Sequence, residues 1–439
     1  MPSTIDIKAP ASKSVSHRAF ICAALSEGDS LVIDALESDD LIRTRRCLRA
    51  CGAVFKRNDR GWEITGIGGQ PRGGKDTPAD CNMGESGTSC RLLTAVLAAG
   101  KGLFRIHGEG RLHDRPIGQL TDALEHLGPV FDWEGKPGYP PMVIRTKGFS
   151  GGEVSIPLDE SSQYLSGILL GAPLAAGPLL VNISGDKVVS WPYVSLTLMA
   201  MADFGLEVTV EALEGTAWVR KAFTEVAEVK PGKLRFKVEP GRYRARTYTV
   251  EGDWSNASYF LSAGAVGKKP VRVRGLRRDS LQGDKAILEI LGSMGAHVVW
   301  DAEGVTVSDT GSGLHGVELD MGSCPDLVPT VCAVAAQATG TTTIRNVAHL
   351  RIKESDRLQA CADELRKIGS AVETFEDGLS VTAQPIASGQ PVDLCTYGDH
   401  RMAMSLSLLE FAGVDVRLDK PACVAKSFPG FWDQWRLVR

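Results

Sequence analysis

The chain has 439 residues, with 49 Lys+Arg against 53 Asp+Glu and a formal net charge of −4. Hydrophobic residues at 43% and charged residues at 23% are ordinary for a globular protein and exclude a mostly disordered or fibrous chain. The near-neutral charge gives no ground for nucleic-acid binding, and the length exceeds what one hydrophobic core usually supports, so two domains are expected.

Residues 1–8, MPSTIDIK, hold no apolar run of the kind that directs export. The longest apolar run, Ile168–Val181, is broken by Gly171, Pro173, Gly177 and Pro178, so no membrane span and a cytoplasmic location are expected. From Ser12 onward one pattern returns six times: a polar start, an apolar stretch rich in small residues, and a closing glycine. The copies are SKSVSHRAFICAALSEG, GTSCRLLTAVLAAG, SSQYLSGILLGAPLAAG, SNASYFLSAGAVG, CPDLVPTVCAVAAQATG and HRMAMSLSLLEFAG. Their glycines, Gly28, Gly100, Gly177, Gly267, Gly340 and Gly413, lie 72, 77, 90, 73 and 73 residues apart. After the glycine, several copies run into an alternating strand, as in LVIDAL, LFRIHG, LLVNIS, VRVRGL and TTTIRNV. A more polar second helix and further strands follow, as in LRACGAVFK and LEHLGPVFDW. Each repeat therefore reads as two helices and about four strands, an α/β pattern with mixed strand pairing. Six repeats divide as three plus three. The longest interval falls in the middle, which places a domain boundary near Val250 and a ligand cleft between two lobes.

Two other patterns are set aside. The ten cysteines form no CxxC pair, and Cys47 and Cys51 read as reduced thiols. Gly69–Lys75, GQPRGGK, has Walker-like spacing, but Asp76 stands where Ser or Thr is needed and Thr77-Pro78 follows instead of a helix, so it reads as a turn.

The first helix of each repeat is apolar all round, as in Leu92–Ala99, and must be buried. Its polar N-terminus then brings unpaired N–H groups and the positive end of the helix dipole to one place, an anion site. Cations stand at or near these ends: Lys13 and Arg18, Arg91, and Arg401. Lys353, Glu354 and Arg357 read as one helical stretch with Lys353 and Arg357 a turn apart, and Arg115 lies in a loop.

The motifs SKSVSHR, GESGTSCRLL, LHDRPIG, SSQYLSG, RIKESDR, GDHRMAMS and AKSFPGFW, in that order between Ala9 and Trp435, resemble those of the 5-enolpyruvylshikimate-3-phosphate synthase family. The resemblance implies an inverse α/β barrel type of fold, with two lobes of three βαβαββ repeats each: 11–250, and 251–439 with 1–10 returning to the C-terminal lobe. It implies enolpyruvyl transfer from phosphoenolpyruvate to the 5-hydroxyl of shikimate 3-phosphate with release of phosphate, in aromatic amino-acid biosynthesis. It further implies no metal or organic cofactor, and lobes that close on substrate. Two lobes already supply a site, so a monomer is expected, and the charge and the broken apolar run predict no nucleic-acid or membrane partner.

Carried over by motif, Lys13, Ser14, Arg18, Ser161, Ser162, Gln163, Ser190, His349 and Lys353 would hold shikimate 3-phosphate. Lys13, Gly87, Arg115, Gln163, Arg357, Arg401 and Lys426 would line the phosphoenolpyruvate site. Asp326 would contact shikimate 3-phosphate and act as base for its 5-hydroxyl, Glu354 would move the methyl proton, and Lys13 would assist. Burial must offset the cations beside Glu354 if it is to act as an acid. Glu85, His17, His349 and Leu92 depart from residues common in the family, which bears on pocket shape and on inhibition by glyphosate. Two other readings compete with this one. UDP-N-acetylglucosamine enolpyruvyl transferases carry a reactive Cys in the loop matching Gly108–Gly118, which has none here. A non-catalytic anion-binding repeat scaffold would tolerate loss of Asp326 and Glu354.

Overall fold

A helix without a polar face is stable only when other elements surround it, and the fold is organised around such helices. The computed structural model describes residues 4–226, 229–385 and 391–439. The chain divides into two compact units, Lys13–Val250 and Glu251–Arg439 with the N-terminal residues up to Ser12. Helices α1 (Lys13–Leu25), α2 (Asp39–Ala50), α3 (Gly87–Ala98), α4 (Gly118–Glu125), α5 (Gln163–Gly171) and α6 (Pro192–Asp203) lie in the first unit. Helices α7 (Trp254–Val266), α8 (Ile287–Ser293), α9 (Val328–Ala335), α10 (Arg357–Lys367), α11 (His400–Leu406) and α12 (Phe431–Val438) lie in the second.

In the Lys13–Val250 unit, α3 packs along α5, and α1 and α5 both pack on α6. The approach of α3 to α5 requires glycine. A Cβ on Gly167 would stand 2.9 Å from the Arg91 carbonyl oxygen, and one on Gly171 3.0 Å from that of Ala95. Three sheets cover these helices. One has the order Thr247–Thr249, Asp29–Ile33, Gly61–Thr65, Val54–Asn58, with its first pair parallel and the others antiparallel. Ala79–Asn82, Gly102–His107, Met142–Thr146 and Val130–Trp133 repeat that arrangement. The third sheet keeps it with Gly152–Leu158, Leu179–Val188, Leu234–Val238 and Thr209–Glu214, then adds Ala217–Lys221 at the edge. That extra hairpin strand, with the stretch of sequence that leads from it to Leu234, accounts for the long central interval between repeat glycines.

In the other unit, Ile5–Lys8 pairs in parallel with Val271–Arg274, followed by Gly304–Ser308 and His297–Trp300. Glu318–Asp320, Thr341–Arg345, Leu379–Thr382 and Ala371–Thr374 form the equivalent sheet. The sixth repeat departs from the expected four strands. Among the described residues only the parallel pair Pro391–Leu394 and Asp415–Leu418 forms, and α12 takes the place of the rest. Phe431 and Trp435 of α12 stack on each other and pack against Phe260 of α7, so aromatic burial replaces the missing strands. All ten cysteines are free thiols. Among the described residues, no helix is long and apolar enough to cross a membrane.

Candidate active site

The N-terminal ends of α1, α3, α5 and α6 are tied together by buried polar side chains. Arg18, 1% exposed, reaches from α1 to α6, where its Nε donates to Thr197 Oγ1 at 2.8 Å and its Nη2 to the Tyr193 carbonyl at 2.7 Å. Its Nη1 donates to the Ser14 carbonyl. Burial lowers the Arg18 pKa to about 10, which still leaves it a cation at neutral pH. Lys13 opens α1 and donates to Asp40 of α2 at 3.2 Å. His17 is fully buried and meets Thr44 Oγ1 at 2.8 Å, and Thr44 meets Ser89 of α3 at the same distance. Burial pushes the His17 pKa down to about 3; nearby Asp40 raises it, and Lys13 and Arg18 lower it further, so the ring is neutral.

Gln163, the first residue of α5, donates to Thr88 Oγ1 of α3 at 3.0 Å and accepts from Arg91. Ser161 Oγ accepts the Gln163 backbone N–H, and Ser161 and Ser162 are each 2% exposed. Ser190, before α6, holds a left-handed φ of 55°, which a non-glycine residue adopts only when its surroundings impose it. Gly87, the first residue of α3, lies against Arg115: a Cβ there would stand 2.4 Å from the guanidinium carbon.

The other unit holds a denser charge network. Arg357, 1% exposed, is gripped by three carboxylates. Its Nε meets Asp399 Oδ2 at 2.8 Å, its Nη1 Asp326 Oδ1 at 2.8 Å, and its Nη2 Glu354 Oε2 at 2.9 Å. Burial disfavours the Arg357 charge, but Asp399, Glu354 and Asp326 outweigh it and hold the guanidinium protonated. Arg401 of α11 donates to Asp326 Oδ2 at 2.8 Å and to Ser255 Oγ of α7. Lys426 Nζ approaches Glu354 Oε1 at 3.8 Å. Burial would push the Asp326 carboxyl up; Arg401, Arg357 and Lys353 outweigh it and hold it well below the usual carboxylate range. Asp326 is therefore ionised, and 21% of its side chain remains open to approach. The arrangement offers an ionised base, a second carboxylate between two cations, and guanidinium groups suited to phosphate and carboxylate.

The family model described as EPSP synthase (3-phosphoshikimate 1-carboxyvinyltransferase) matches residues 3–435. The chain belongs to the EPSP synthase family. It is similar to the 3-phosphoshikimate 1-carboxyvinyltransferase of Marinomonas sp. strain MWYL1, at 38% identity over 99% of this chain and 96% of that protein. Its likeness to the one from Thiobacillus denitrificans is 40% identity over 98% of this chain and 96% of that protein. Among solved structures it resembles the EPSP synthase of Acinetobacter baumannii, with a TM-score of 0.76, 26% identity and coverage of 99% and 96% of the two chains. The inverse α/β barrel type, with two lobes of α/β repeats, is the fold class of the EPSP synthases and of this chain.

Set against the EPSP synthase motifs, the expected site residues fall into two groups, each gathered within its own unit. Lys13, Ser14, Arg18, Gly87, Arg115, Ser161, Ser162, Gln163 and Ser190 lie in one. Asp326, His349, Lys353, Glu354, Arg357, Arg401 and Lys426 lie in the other.

Two expectations need correction. Lys353 and Glu354 do not share a helix with Arg357. Lys353 ends the 3-10 turn Ala348–Ile352, and Asp356 caps α10 by accepting the Gln359 N–H, so that helix starts at Arg357. Nor are all the helix N-termini open to anions. Asp253 caps α7, Asp399 caps α11 and Ser86 caps α3 through their own side chains, so the cationic side chains carry more of the positive field than the dipoles do.

The motifs attach no role to Asp40, Ser255 or Asp399, which the fold brings into the two clusters. Asp399 both caps α11 and pairs with Arg357, from 42 residues away. An acidic residue directly before an apolar helix was the available signal for it.

Proposed function

We propose that this chain transfers the enolpyruvyl group of phosphoenolpyruvate to the 5-hydroxyl of shikimate 3-phosphate and releases phosphate. The observation that carries this reading is Asp326, an ionised and partly exposed carboxylate held between Arg357 and Arg401, with Glu354 on the same Arg357. The match of residues 3–435 to the EPSP synthase family supplies the reaction.

In this reading Arg18, Ser14, Ser161, Ser162, Gln163, Ser190, His349 and Lys353 hold shikimate 3-phosphate. Lys13 serves both substrates, and Gly87, Arg115, Gln163, Arg357, Arg401 and Lys426 hold phosphoenolpyruvate. Asp326 accepts the 5-hydroxyl proton as that oxygen bonds to C2 of the enol. Glu354 takes up a proton from solvent when phosphoenolpyruvate engages Arg357 and Lys426, and delivers it to the methylene carbon; those cations then stabilise the carboxylate it leaves. Phosphate departs from C2 while the Glu354 carboxylate takes a methyl proton, which regenerates the carbon–carbon double bond, and the proton held by Asp326 leaves with the phosphate. Anionic phosphoenolpyruvate competes for the guanidinium groups of Arg357 and Arg401. That loosens their grip on Asp326 and raises its basicity only when substrate is present.

The two compact units support a division into lobes at 11–250 and at 251–439 plus 1–10. A cytoplasmic monomer that needs no metal or organic cofactor completes the proposal. The test is phosphate release from phosphoenolpyruvate with and without shikimate 3-phosphate. Release that depends on shikimate 3-phosphate is expected. Release without it, or none with both, would reject the reading.

A further inference from the structure

Asp284 has no part in the motifs or in the mechanism above, yet its environment is unlike that of an ordinary loop aspartate. It lies in the 3-10 turn Gly283–Ala286 that leads into α8, and it is 4% exposed. Among the described residues, no donor reaches its Oδ1. A buried carboxyl oxygen without a donor is costly, by about 1–3 kcal/mol, and an apolar residue in that position would avoid the cost. What faces Asp284 is the reaction machinery. Asp326 comes from the turn before α9, with Cys324 beside it; Arg401 comes from α11; Ser255 comes from α7, and Asp253 from the cap of α7. Arg401 donates at once to Asp326 and to Ser255, and Ser255 lies against the Asp284 carboxyl. One guanidinium is thus shared between two carboxyl groups, directly on one side and through a hydroxyl on the other.

We infer that Asp284 is a positioning residue for the transfer reaction: its carboxyl competes with Asp326 for Arg401 and so sets how readily Asp326 takes the substrate proton. Burial pushes the Asp284 pKa up to about 7, Asp326 adds to the rise, and Arg401 and Ser255 oppose it. When Asp284 is protonated, Arg401 belongs to Asp326 and holds it as a weak base. When Asp284 ionises, it draws on Arg401 and places a second negative charge near Asp326, which strengthens Asp326 as a base. The inference rests on the enolpyruvyl-transfer reading.

The experiment is the pH profile of kcat over about pH 5.5 to 9, read as phosphate release at saturating substrates, for the wild-type protein and Asp284→Asn. The expected result is a rise in wild-type kcat near neutral pH that is absent from Asp284→Asn. That variant should be about tenfold slower at alkaline pH, with both KM values kept within about twofold. Superimposable profiles would overturn the inference. So would a loss of kcat equal at every pH together with a lower Tm, since that marks a structural role only. If Asp284→Asn does not fold, carbon-13 NMR of aspartate-labelled wild-type protein reads the group without turnover. One carboxyl titrating near neutrality supports the inference, and titration of all of them below about pH 5 overturns it. Absence of any wild-type turnover dependent on shikimate 3-phosphate rejects the proposed reaction instead, and the NMR result stands apart from that outcome.

Discussion

Replacing Asp326 with Asn separates chemistry from binding, because it removes a base and a negative charge from one place. Around that carboxylate stand four cations, Lys353, Arg357, Arg401 and Lys426, and the carboxyl groups of Glu354, Asp399 and Asp284. Asp326→Asn removes one negative charge from this cluster, whatever the protonation of Glu354 and Asp284. Loss of a general base typically costs 10²–10⁴ in rate, about 3–5 kcal/mol of barrier. The added positive charge favours the anionic substrate by about 1 kcal/mol where water screens the charges, or about fivefold in affinity. The expectation is therefore a kcat lowered at least about a hundredfold, with a KM for phosphoenolpyruvate unchanged or lower. Steady-state phosphate release, paired with calorimetric binding of phosphoenolpyruvate, measures both quantities. A variant with wild-type turnover would refute the assignment of the base. One whose deficit lay wholly in a raised KM would show that Asp326 serves binding.

Gly87→Ala should push the Arg115 guanidinium away from α3, since the added Cβ falls 2.4 Å from it. The KM for phosphoenolpyruvate should rise by about ten- to a hundredfold with little change in Tm, because the displaced group is the end of a flexible side chain. His17→Asn tests the neutral buried imidazole. With a folded pKa of about 3 against 6.5, the unfolded chain binds the extra proton, so wild-type stability falls as pH drops below 6.5. Asn carries no such loss, and urea titrations should find the variant gaining about 2 kcal/mol on wild type between pH 8 and pH 5; a pH-independent difference contradicts this. Arg357→Gln leaves Asp399, whose side chain is fully buried, without its cation, and should cost about 3–5 kcal/mol in the same titrations.

Much of the architecture could be read from the chain because the repeated helices are apolar all round, and burial is then their only stable state. The glycine interval marked the repeats; its one irregularity reads as a boundary between lobes, and the added strand Ala217–Lys221 that lies within it was not legible. The shortened sixth repeat was hidden, since LSLLEFAG followed by VDVRL resembles the start of its predecessors and the missing strands leave no mark of their own. The two side-chain clusters were legible as cations and serines near helix starts. Their partners were not: Arg18 meets Thr197 across 179 residues, and only packing brings them together. The break between Lys353 and Arg357 turns on the Asp356 cap, which a periodicity argument passes over. Asp284 reads in sequence as a charge in a polar turn, and only its burial against Ser255 and Arg401 makes it chemically distinctive.

The pairing of Ile5–Lys8 with Val271–Arg274 makes the Lys13–Val250 unit an insertion within the other one. A ribosome releases residues from the N-terminus, so the first strand emerges long before its neighbour in the sheet exists. The inserted unit can complete its core while that strand waits in solution. Loop-closure entropy penalises such distant pairing, so the enclosing unit should be the later and slower of the two to mature.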